Sequence, residues 1–142
     1  MKSYNWQKLF AQHKIFSEFE TSEVAYFLDD TTSADFIMPK DGVILNQDDG
    51  SDSIFFIASG AVEVLRRESN GKKVRIAVLK EGDYFGEMAM MHKKPRSASV
   101  ISREDSLILE IKGEAFRGIL KKHPNIEVQM LLKLSDRLEE MP

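Results

Sequence analysis

The start of the chain carries apolar residues at helical spacing. Two early segments show the pattern, with Trp6, Leu9 and Phe10 in the first and Val24, Phe27 and Leu28 in the second. Positions three and four apart share one face of a helix, so two amphipathic helices are predicted here. Thr21 or Ser22 has the side chain that a helix N-cap prefers, and either is expected to begin the second helix.

From Asp35 onward the apolar residues follow the shorter period of strands. Strands are predicted over 36–45, broken at Pro39 and Gly42, and then over 53–59, 61–66, 73–79, 97–102 and 107–111. In the strand predicted over 73–79, Val74, Ile76 and Val78 are expected on the buried face of a half-buried strand. Asn70-Gly71 favours a tight hairpin, and hence antiparallel pairing.

Helical spacing returns after Lys112-Gly113. A stripe of Phe116, Ile119 and Leu120 predicts a helix over 114–123, which Pro124 should end. Asn125 is expected to cap a last helix over 126–138, whose apolar stripe is Val128, Leu131, Leu134 and Leu138. We expect that stripe to pack on the strands or on a second copy of the chain.

The order of elements predicts an α+β fold in which short antiparallel strands form a barrel or roll capped by helices. At 142 residues the length suits one domain. We therefore expect a single domain over 1–142, with a helical segment over 1–34, the strands over 35–112 and C-terminal helices over 113–142.

Composition narrows the classes of function. There are 20 Lys plus Arg against 23 Asp plus Glu, a net charge of -3, so no overall positive field attracts nucleic acid. The chain has 0 Cys, which excludes disulfides and thiolate metal sites and is typical of a cytoplasmic protein. No stretch is long and apolar enough to predict a membrane span.

The segment 82–100 combines residue types that suit an anion. Gly86 precedes a predicted helical turn over 88–91, whose free N–H groups favour negative charge. Arg96 offers paired donors to phosphate oxygens, whereas Glu87 would accept a hydrogen bond from a sugar hydroxyl. Taken by themselves, Glu87 and Arg96 favour a structural ion pair at the rim of the roll over a ligand site.

The surrounding residues resemble the phosphate-binding cassette of the cyclic nucleotide-binding domain. The matching positions are Phe85, Gly86, Glu87, Ala89, Arg96, Ser97, Ala98 and Val100, with Glu87 and Arg96 separated by nine residues. The similarity extends from the N-terminal helices to the last two. It implies a jelly-roll-like antiparallel β-roll with N-terminal helices, a short cassette helix and two C-terminal helices.

The resemblance also implies the ligand and its contacts. The ligand is cyclic AMP or cyclic GMP; Glu87 would bind the ribose 2′-hydroxyl, Arg96 the cyclic phosphate, and the amides of Gly86, Ala89 and Ser97 the phosphate oxygens. The expected binding residues are Phe85, Gly86, Glu87, Met88, Ala89, Arg96, Ser97 and Ala98. The last helix would close over the base through Leu131, Leu134 or Arg137. A departure from the family pattern, the turn at 48–52, is expected to lie away from the phosphate contacts.

The favoured function is a regulatory sensor that binds cyclic AMP in preference to cyclic GMP and moves its C-terminal helices. The alternative is an assembly domain of the same fold without a physiological nucleotide. We expect no catalytic residue, no metal and no cofactor beyond the nucleotide. The expected partners are a second copy or an effector protein at the C-terminal helices, with no DNA-binding module and no membrane.

Overall fold

The computed structural model describes residues 2–139, with the side chains of residues 2–136. Within that range the structure has five helices and eight strands. The helices are α1 (Trp6–Gln12), α2 (Thr21–Phe27), α3 (Glu87–His92), α4 (Gly113–Leu120) and α5 (Pro124–Glu139). The strands are β1 (Ser33–Met38), β2 (Val43–Leu45), β3 (Ile54–Ser59), β4 (Ala61–Arg67), β5 (Lys73–Lys80), β6 (Tyr84–Phe85), β7 (Ser99–Ser102) and β8 (Ser106–Ile111).

The strands form two antiparallel four-stranded sheets, in the orders β1-β8-β3-β6 and β2-β7-β4-β5. The β4–β5 hairpin turns at Gly71, whose φ of 83° is readily available to glycine. Helices precede the sheets, follow them, and interrupt them at α3. The predicted α+β antiparallel roll with its flanking and cassette helices is confirmed.

Strand β3 is buried on both faces, and this is why its sequence is continuously apolar. Ile54, Phe56 and Ala58 pack toward the helices, in a core cluster with α1, α2 and α4. Phe55 and Ile57 point the other way, into a second cluster shared with the opposite sheet. Phe55, which pairs with Phe85 of the cassette, therefore belongs to the inner layer of the roll.

Aromatic rings attach the N-terminal helices to the roll. Phe16 packs edge-on against Phe56, Tyr84 and Phe116, with ring centroids between 5.1 and 6.0 Å apart. Phe27 stacks on Phe116 at 5.0 Å. Each such pair adds about 0.5–1.5 kcal/mol beyond the area it buries, so α1, α2 and α4 form a stable support beneath β3 and β6.

The predicted buried face of β5 is wrong in its second half. A register shift lies opposite Val64 and Leu65, which pair with Ala77 and Arg75 and leave Ile76 without a partner on β4. This extra residue reverses the alternation. Buried Leu79, and not Val78, therefore continues the inner face.

The predicted helix starts also need correction. Glu20, and not Thr21 or Ser22, is the N-cap of α2, because its side chain and that of Glu23 form a capping box. Pro124 begins α5 instead of only ending the previous helix, which stops at Leu120. A proline lacks the N–H that the first helical position would leave unpaired, so Asn125 is not needed as a cap.

Val128 and Leu131 of the predicted α5 stripe do not pack on the strands, and packing of that stripe on a second copy of the chain stays a prediction. The buried residues are Ile126 and Met130, four apart, whereas Val128 is 53 % exposed and Leu131 is 40 % exposed. Helical periodicity fits both faces, and the one that meets the aromatic core is buried. Of the predicted stripe, Leu134 is half-buried, and the side chain of Leu138 lies outside the described residues.

Candidate functional site

Strand β6 delivers the chain into the cassette. Tyr84 and Phe85 pair with Phe56 and Phe55 of β3, and the rings of Phe55 and Phe85 stack at 4.9 Å. The chain then turns sharply at Gly86, the N-cap of α3, with φ of 88°. That backbone angle is one that side-chain-bearing residues rarely adopt, so a glycine is needed where strand changes to helix.

Close packing imposes a second requirement for glycine at position 86. A Cβ there would lie 2.8 Å from Nη1 of Arg96 and 2.8 Å from the carbonyl oxygen of Ser53. Both distances are shorter than van der Waals contact. The glycine therefore lets the Arg96 guanidinium lie directly against the backbone at the start of α3.

Helix α3 is longer than the single turn predicted over 88–91, since it begins at Glu87 and ends at His92. Lys93 ends the helix in the left-handed region with φ of 54°. The chain then returns through Arg96 and Ser97 to β7, which begins two residues later than predicted. Glu87 and Arg96 are thereby placed at the two ends of one loop-helix excursion.

Arg96 is only 4 % exposed and is held by protein acceptors. Nε donates to the Ser51 hydroxyl at 3.2 Å, Nη1 to the Gly86 carbonyl at 3.3 Å, and Nη2 to the Ser53 carbonyl at 2.9 Å. A guanidinium has five N–H groups. With respect to the described residues, these three bonds leave two N–H groups for a ligand.

Nearby carboxylates favour the protonated form of Arg96. Burial lowers the pKa of the guanidinium, while Asp49, Asp52, Glu110 and Glu87 act in the opposite direction. Its charge centre also lies 5.6 Å from the ring centroid of Phe55, a cation–π distance. An arginine remains protonated in such a setting, so the site presents one buried positive charge.

The turn at 48–52 contacts the cassette directly, so the expectation that it lies away from the phosphate site is wrong. Arg96 N–H donates to Asp49 O, and Asp48 N–H donates to Arg96 O, each at 2.8 Å. Asp48 has a φ of 73°, which aspartate tolerates better than most residues. This turn fixes the backbone of Arg96 while Ser51 fixes its side chain.

A cavity of about 290 Å³ opens above these residues. All eight predicted binding residues line it, namely Phe85, Gly86, Glu87, Met88, Ala89, Arg96, Ser97 and Ala98. Glu87 is 6 % exposed, so the cavity contains a buried acid as well as a buried base. Apolar walls with a few convergent polar groups are typical of a small-molecule site.

The cavity also has lining residues that the sequence interpretation missed. They come from the opposite sheet and are Leu45, Val64, Arg66, Ile76, Ala77 and Leu79, and the cassette position Val100 lines the cavity beside them. Alternation along β4 contained a signal, because Val62, Val64 and Arg66 lie two apart and share a face. The inward position of both Ile76 and Ala77 depends on the β5 register shift, for which the sequence has no clear signal.

Helix α5 supplies part of the cavity wall. Of the three predicted lid residues, Leu134 lines the cavity, Leu131 does not, and the side chain of Arg137 lies outside the described residues. Lys133, next to Leu134, lies 3.6 Å from the Asp83 carboxylate and 4.9 Å from the centroid of Tyr84. The last helix is thus attached to the turn that leads into the cassette.

Arg117 connects α4 to the cassette helix. Its Nη1 donates to the Met90 carbonyl at 2.7 Å and to the Asp52 carboxylate at 2.9 Å. The carbonyl belongs to α3, and Asp52 belongs to the turn that holds Arg96. One half-buried side chain therefore joins α4, the cassette and the turn.

Among residues 2–139, no three His, Asp or Glu side chains are grouped closely enough to hold a metal ion. His13 and His123 instead bond to the Gly82 carbonyl at 2.9 Å and to Glu23 at 2.7 Å. His92 is exposed. In the same described range, no helix has the length and apolarity needed to cross a bilayer.

A closed β-roll with one buried arginine and one buried acid in an apolar cavity defines a small-ligand binding module. The family model for the cyclic nucleotide-binding domain matches residues 37–123. The chain belongs to the cyclic nucleotide-binding domain family.

Curated relatives have regulatory names. The chain is 29 % identical over 104 residues to the cyclic AMP receptor protein of Thermus thermophilus, covering 73 % of this chain and 48 % of the relative. It is 25 % identical over 131 residues to a CRP-like cAMP-activated global transcriptional regulator of Mycobacterium tuberculosis, covering 92 % and 58 %. The chain spans about half the length of these relatives.

Solved structures share the architecture. The Thermus thermophilus catabolite activator protein aligns with a TM-score of 0.73 at 27 % identity, over 89 % of this chain and 58 % of that one. The sensor domain of the Pseudomonas aeruginosa transcriptional regulator DNR aligns with a TM-score of 0.80 at 21 % identity, over 95 % and 89 %. At that lower identity the second comparison shows the fold alone.

Proposed function

We propose that this chain reversibly binds a cyclic nucleotide monophosphate, cyclic AMP in preference to cyclic GMP, and acts as a regulatory sensor without catalytic activity. The observation that carries the proposal is the position of Arg96. It is buried and held by three protein acceptors. These bonds to described residues leave two of its five N–H groups for a ligand. A prepositioned pair of donors suits two oxygens of one phosphate.

The charge of the cavity favours a phosphodiester over a phosphomonoester. In the proposed pose Arg96 alone meets the phosphate, and its one charge matches the single charge of a cyclic phosphate, whereas a phosphomonoester carries about 1.5 to 2 negative charges at pH 7. Glu87 also lines the cavity and would repel the excess charge. The site should therefore discriminate strongly between cyclic AMP and 5′-AMP.

Glu87 has a role that suits the sugar. Ionised carboxylates accept hydrogen bonds and do not donate them, so Glu87 would bind the ribose 2′-hydroxyl. The amides of Gly86, Ala89 and Ser97 would bind phosphate oxygens beside Arg96. Phe85, Met88 and Ala98 would complete the walls around the sugar and phosphate.

The preference for adenine is supported by the names of the relatives, which are described as cyclic AMP receptors or cAMP-activated regulators. Those names concern whole proteins that are about one and a half times as long as this chain. The base would occupy the apolar part of the cavity, between Val64 and Ile76 of one sheet and Leu134 of α5.

Movement of the C-terminal helices is the proposed output. Leu134 lines the cavity and Arg117 holds the cassette helix, so both helices contact groups that the nucleotide would engage. A ligand shifts the equilibrium between an open and a closed arrangement of these helices only by the difference in its affinity for the two. We propose that closure of α5 over the base supplies that difference.

Calorimetric titration with cyclic AMP, cyclic GMP and 5′-AMP tests the proposal. We expect saturable binding of the cyclic nucleotides, tightest for cyclic AMP, and a loss of at least about 100-fold in Arg96→Ala, which removes two charge-assisted hydrogen bonds. Ser97→Ala removes one neutral hydroxyl and should cost only about twofold to tenfold.

Two controls keep this result interpretable. Arg103→Ala removes an exposed arginine that lies 4.0 Å from Glu63 and should leave affinity unchanged. Because Arg96 also holds the turn at 48–52, thermal unfolding must show that Arg96→Ala is folded, and Glu87→Gln provides a second site variant. Absence of binding to wild type would favour the assembly-domain alternative, and equal small losses in the Arg96 and Ser97 variants would contradict the proposed pose.

A further inference from the structure

A second groove runs along α4, and it shares no lining residue with the proposed nucleotide cavity. Tyr26 of α2, Lys93 at the end of α3, and a run of α4 residues line it: Glu114, Ala115, Arg117, Gly118, Ile119, Lys121 and Lys122. Its volume is about 610 Å³. Four of these residues are cations and one is an acid, on a chain whose net charge is -3.

Gly118 is the residue that the fold itself does not explain. It is exposed and lies inside α4, where glycine is among the poorest helix formers. A Cβ there would meet no atom within 4 Å, and the backbone does not adopt a positive φ. Neither space nor conformation within the chain requires glycine. Because glycine has no side chain, another backbone can approach α4 closely at this position.

The walls of the groove suit an extended acidic segment. Lys93, Lys121 and Lys122 are exposed, so their ammonium groups are available to carboxylates. Tyr26 is 47 % exposed and offers an aromatic surface with a polar end. Lysines near the C-terminal end of a helix also interact favourably with the helix dipole. That effect explains neither the glycine at position 118 nor the exposed ring of Tyr26.

We propose that this groove binds an extended, carboxylate-rich segment of a partner protein, which crosses α4 over Gly118 and pairs with Lys93, Lys121 and Lys122. The inference does not depend on the nucleotide site. It assigns a partner of defined chemistry to a surface that is adjacent to the C-terminal end of the cassette helix.

Fluorescence anisotropy of a labelled peptide of about eight glutamates, which spans roughly 26 Å when extended, tests the proposal without nucleotide. We expect saturable, salt-sensitive binding to the wild-type chain. The double variant Lys121→Glu, Lys122→Glu should bind about tenfold more weakly or worse, since it replaces two attractions with two repulsions. The matched control, Lys72→Glu, Lys73→Glu in the β4–β5 hairpin, should bind as wild type does.

A second pair of variants separates the groove from general charge. Gly118→Leu should raise the thermal midpoint, because leucine is the better helix former, yet it should abolish peptide binding by filling the groove. Gln7→Leu, at an exposed position of α1 outside both the groove and the cavity, should leave binding intact. Peptide binding that survives Gly118→Leu, or that falls equally in the hairpin control, would overturn the proposal. So would a single-stranded oligonucleotide that binds with the same dependence on Lys121 and Lys122.

Discussion

Arg66 is the residue that adds most to the cavity beyond the cassette. It is a second arginine in the lining, and its guanidinium lies 3.5 Å from the Glu68 carboxylate. Strand pairing places it one residue beyond Leu65, which is opposite Ser99 of β7. It therefore lies near the Ala98 end of the cassette, on the sheet that faces the base in the proposed pose.

We expect Arg66→Ala to raise the ratio of cyclic AMP affinity to cyclic GMP affinity by about threefold to tenfold. The guanidinium carries only donors and matches the O6 and N7 acceptors of guanine, whereas adenine presents an amino donor at the corresponding position. Calorimetry with both nucleotides measures the ratio. Arg67→Ala, whose wild-type side chain pairs with Asp48 outside the cavity, is the matched control. An unchanged ratio in Arg66→Ala would show that the base lies elsewhere.

Individual site residues could be predicted from the sequence because they form a local pattern. Phe85 to Ala89 and Arg96 to Ala98 are grouped in one short segment, and the structure places all the predicted members around one cavity. Arg66 and Ile76 come from distant strands and approach the cavity only through sheet pairing. The roles assigned to Glu87 and Arg96 remain predictions until a ligand is measured.

Among the elements, α1 is attached to the turn before the cassette by His13, its C-cap. Nδ1 accepts from Ile15 N–H at 3.0 Å, so Nε2 carries the proton that it donates to the Gly82 carbonyl at 2.9 Å. Burial lowers the pKa of His13 from its ordinary value of 6.5; the Gly82 carbonyl and Asp83 act against this and Lys133 reinforces it. The neutral imidazole is therefore the form that the fold binds.

This arrangement predicts a loss of stability in mild acid. The unfolded chain takes up a proton at His13 near pH 6.5, and the folded chain does so only at a lower pH. The contribution of His13 is therefore complete above pH 6.5 and declines as the pH falls below it. Urea denaturation between pH 8 and pH 5.5 should show this decline, and His13→Gln should reduce it. The exposed His92→Gln variant should behave as wild type, and a His13→Gln curve parallel to wild type would contradict the assignment.

The helices and the other strands were predictable because period and turn residues are local properties, whereas the two-residue strand β6 was not predicted. The choice of the buried face of α5 was not, since Val128 and Leu131 are as apolar as Ile126 and Met130 and only the position of the aromatic core selects between them. The register shift in β5 is likewise decided by pairing with β4. The turn at 48–52 reaches Arg96 only because β2 and β7 are paired.

At the scale of the whole molecule, the cassette and the turn before it are connected to helices at both ends of the chain. Arg117 joins it to α4, Lys133 joins its leading turn to α5, and His13 joins that turn to α1. A ligand that displaced the cassette would therefore act on the N-terminal and C-terminal helices together. The groove proposed for an acidic segment is lined by residues of α2, α4 and the end of α3, so the proposed partner would also contact α4 and the cassette helix.

The measurement that tests the central claim most directly is an amide nitrogen–proton NMR titration of the isotopically labelled chain with cyclic AMP. We predict that the resonances of Gly86, Glu87, Ala89 and Ser97 shift in parallel and saturably, followed by those of α5 around Leu134. Shifts confined to surfaces away from the cassette, such as the turn at 68–72, or no shifts at all, would contradict the assignment of this cavity as a cyclic nucleotide site.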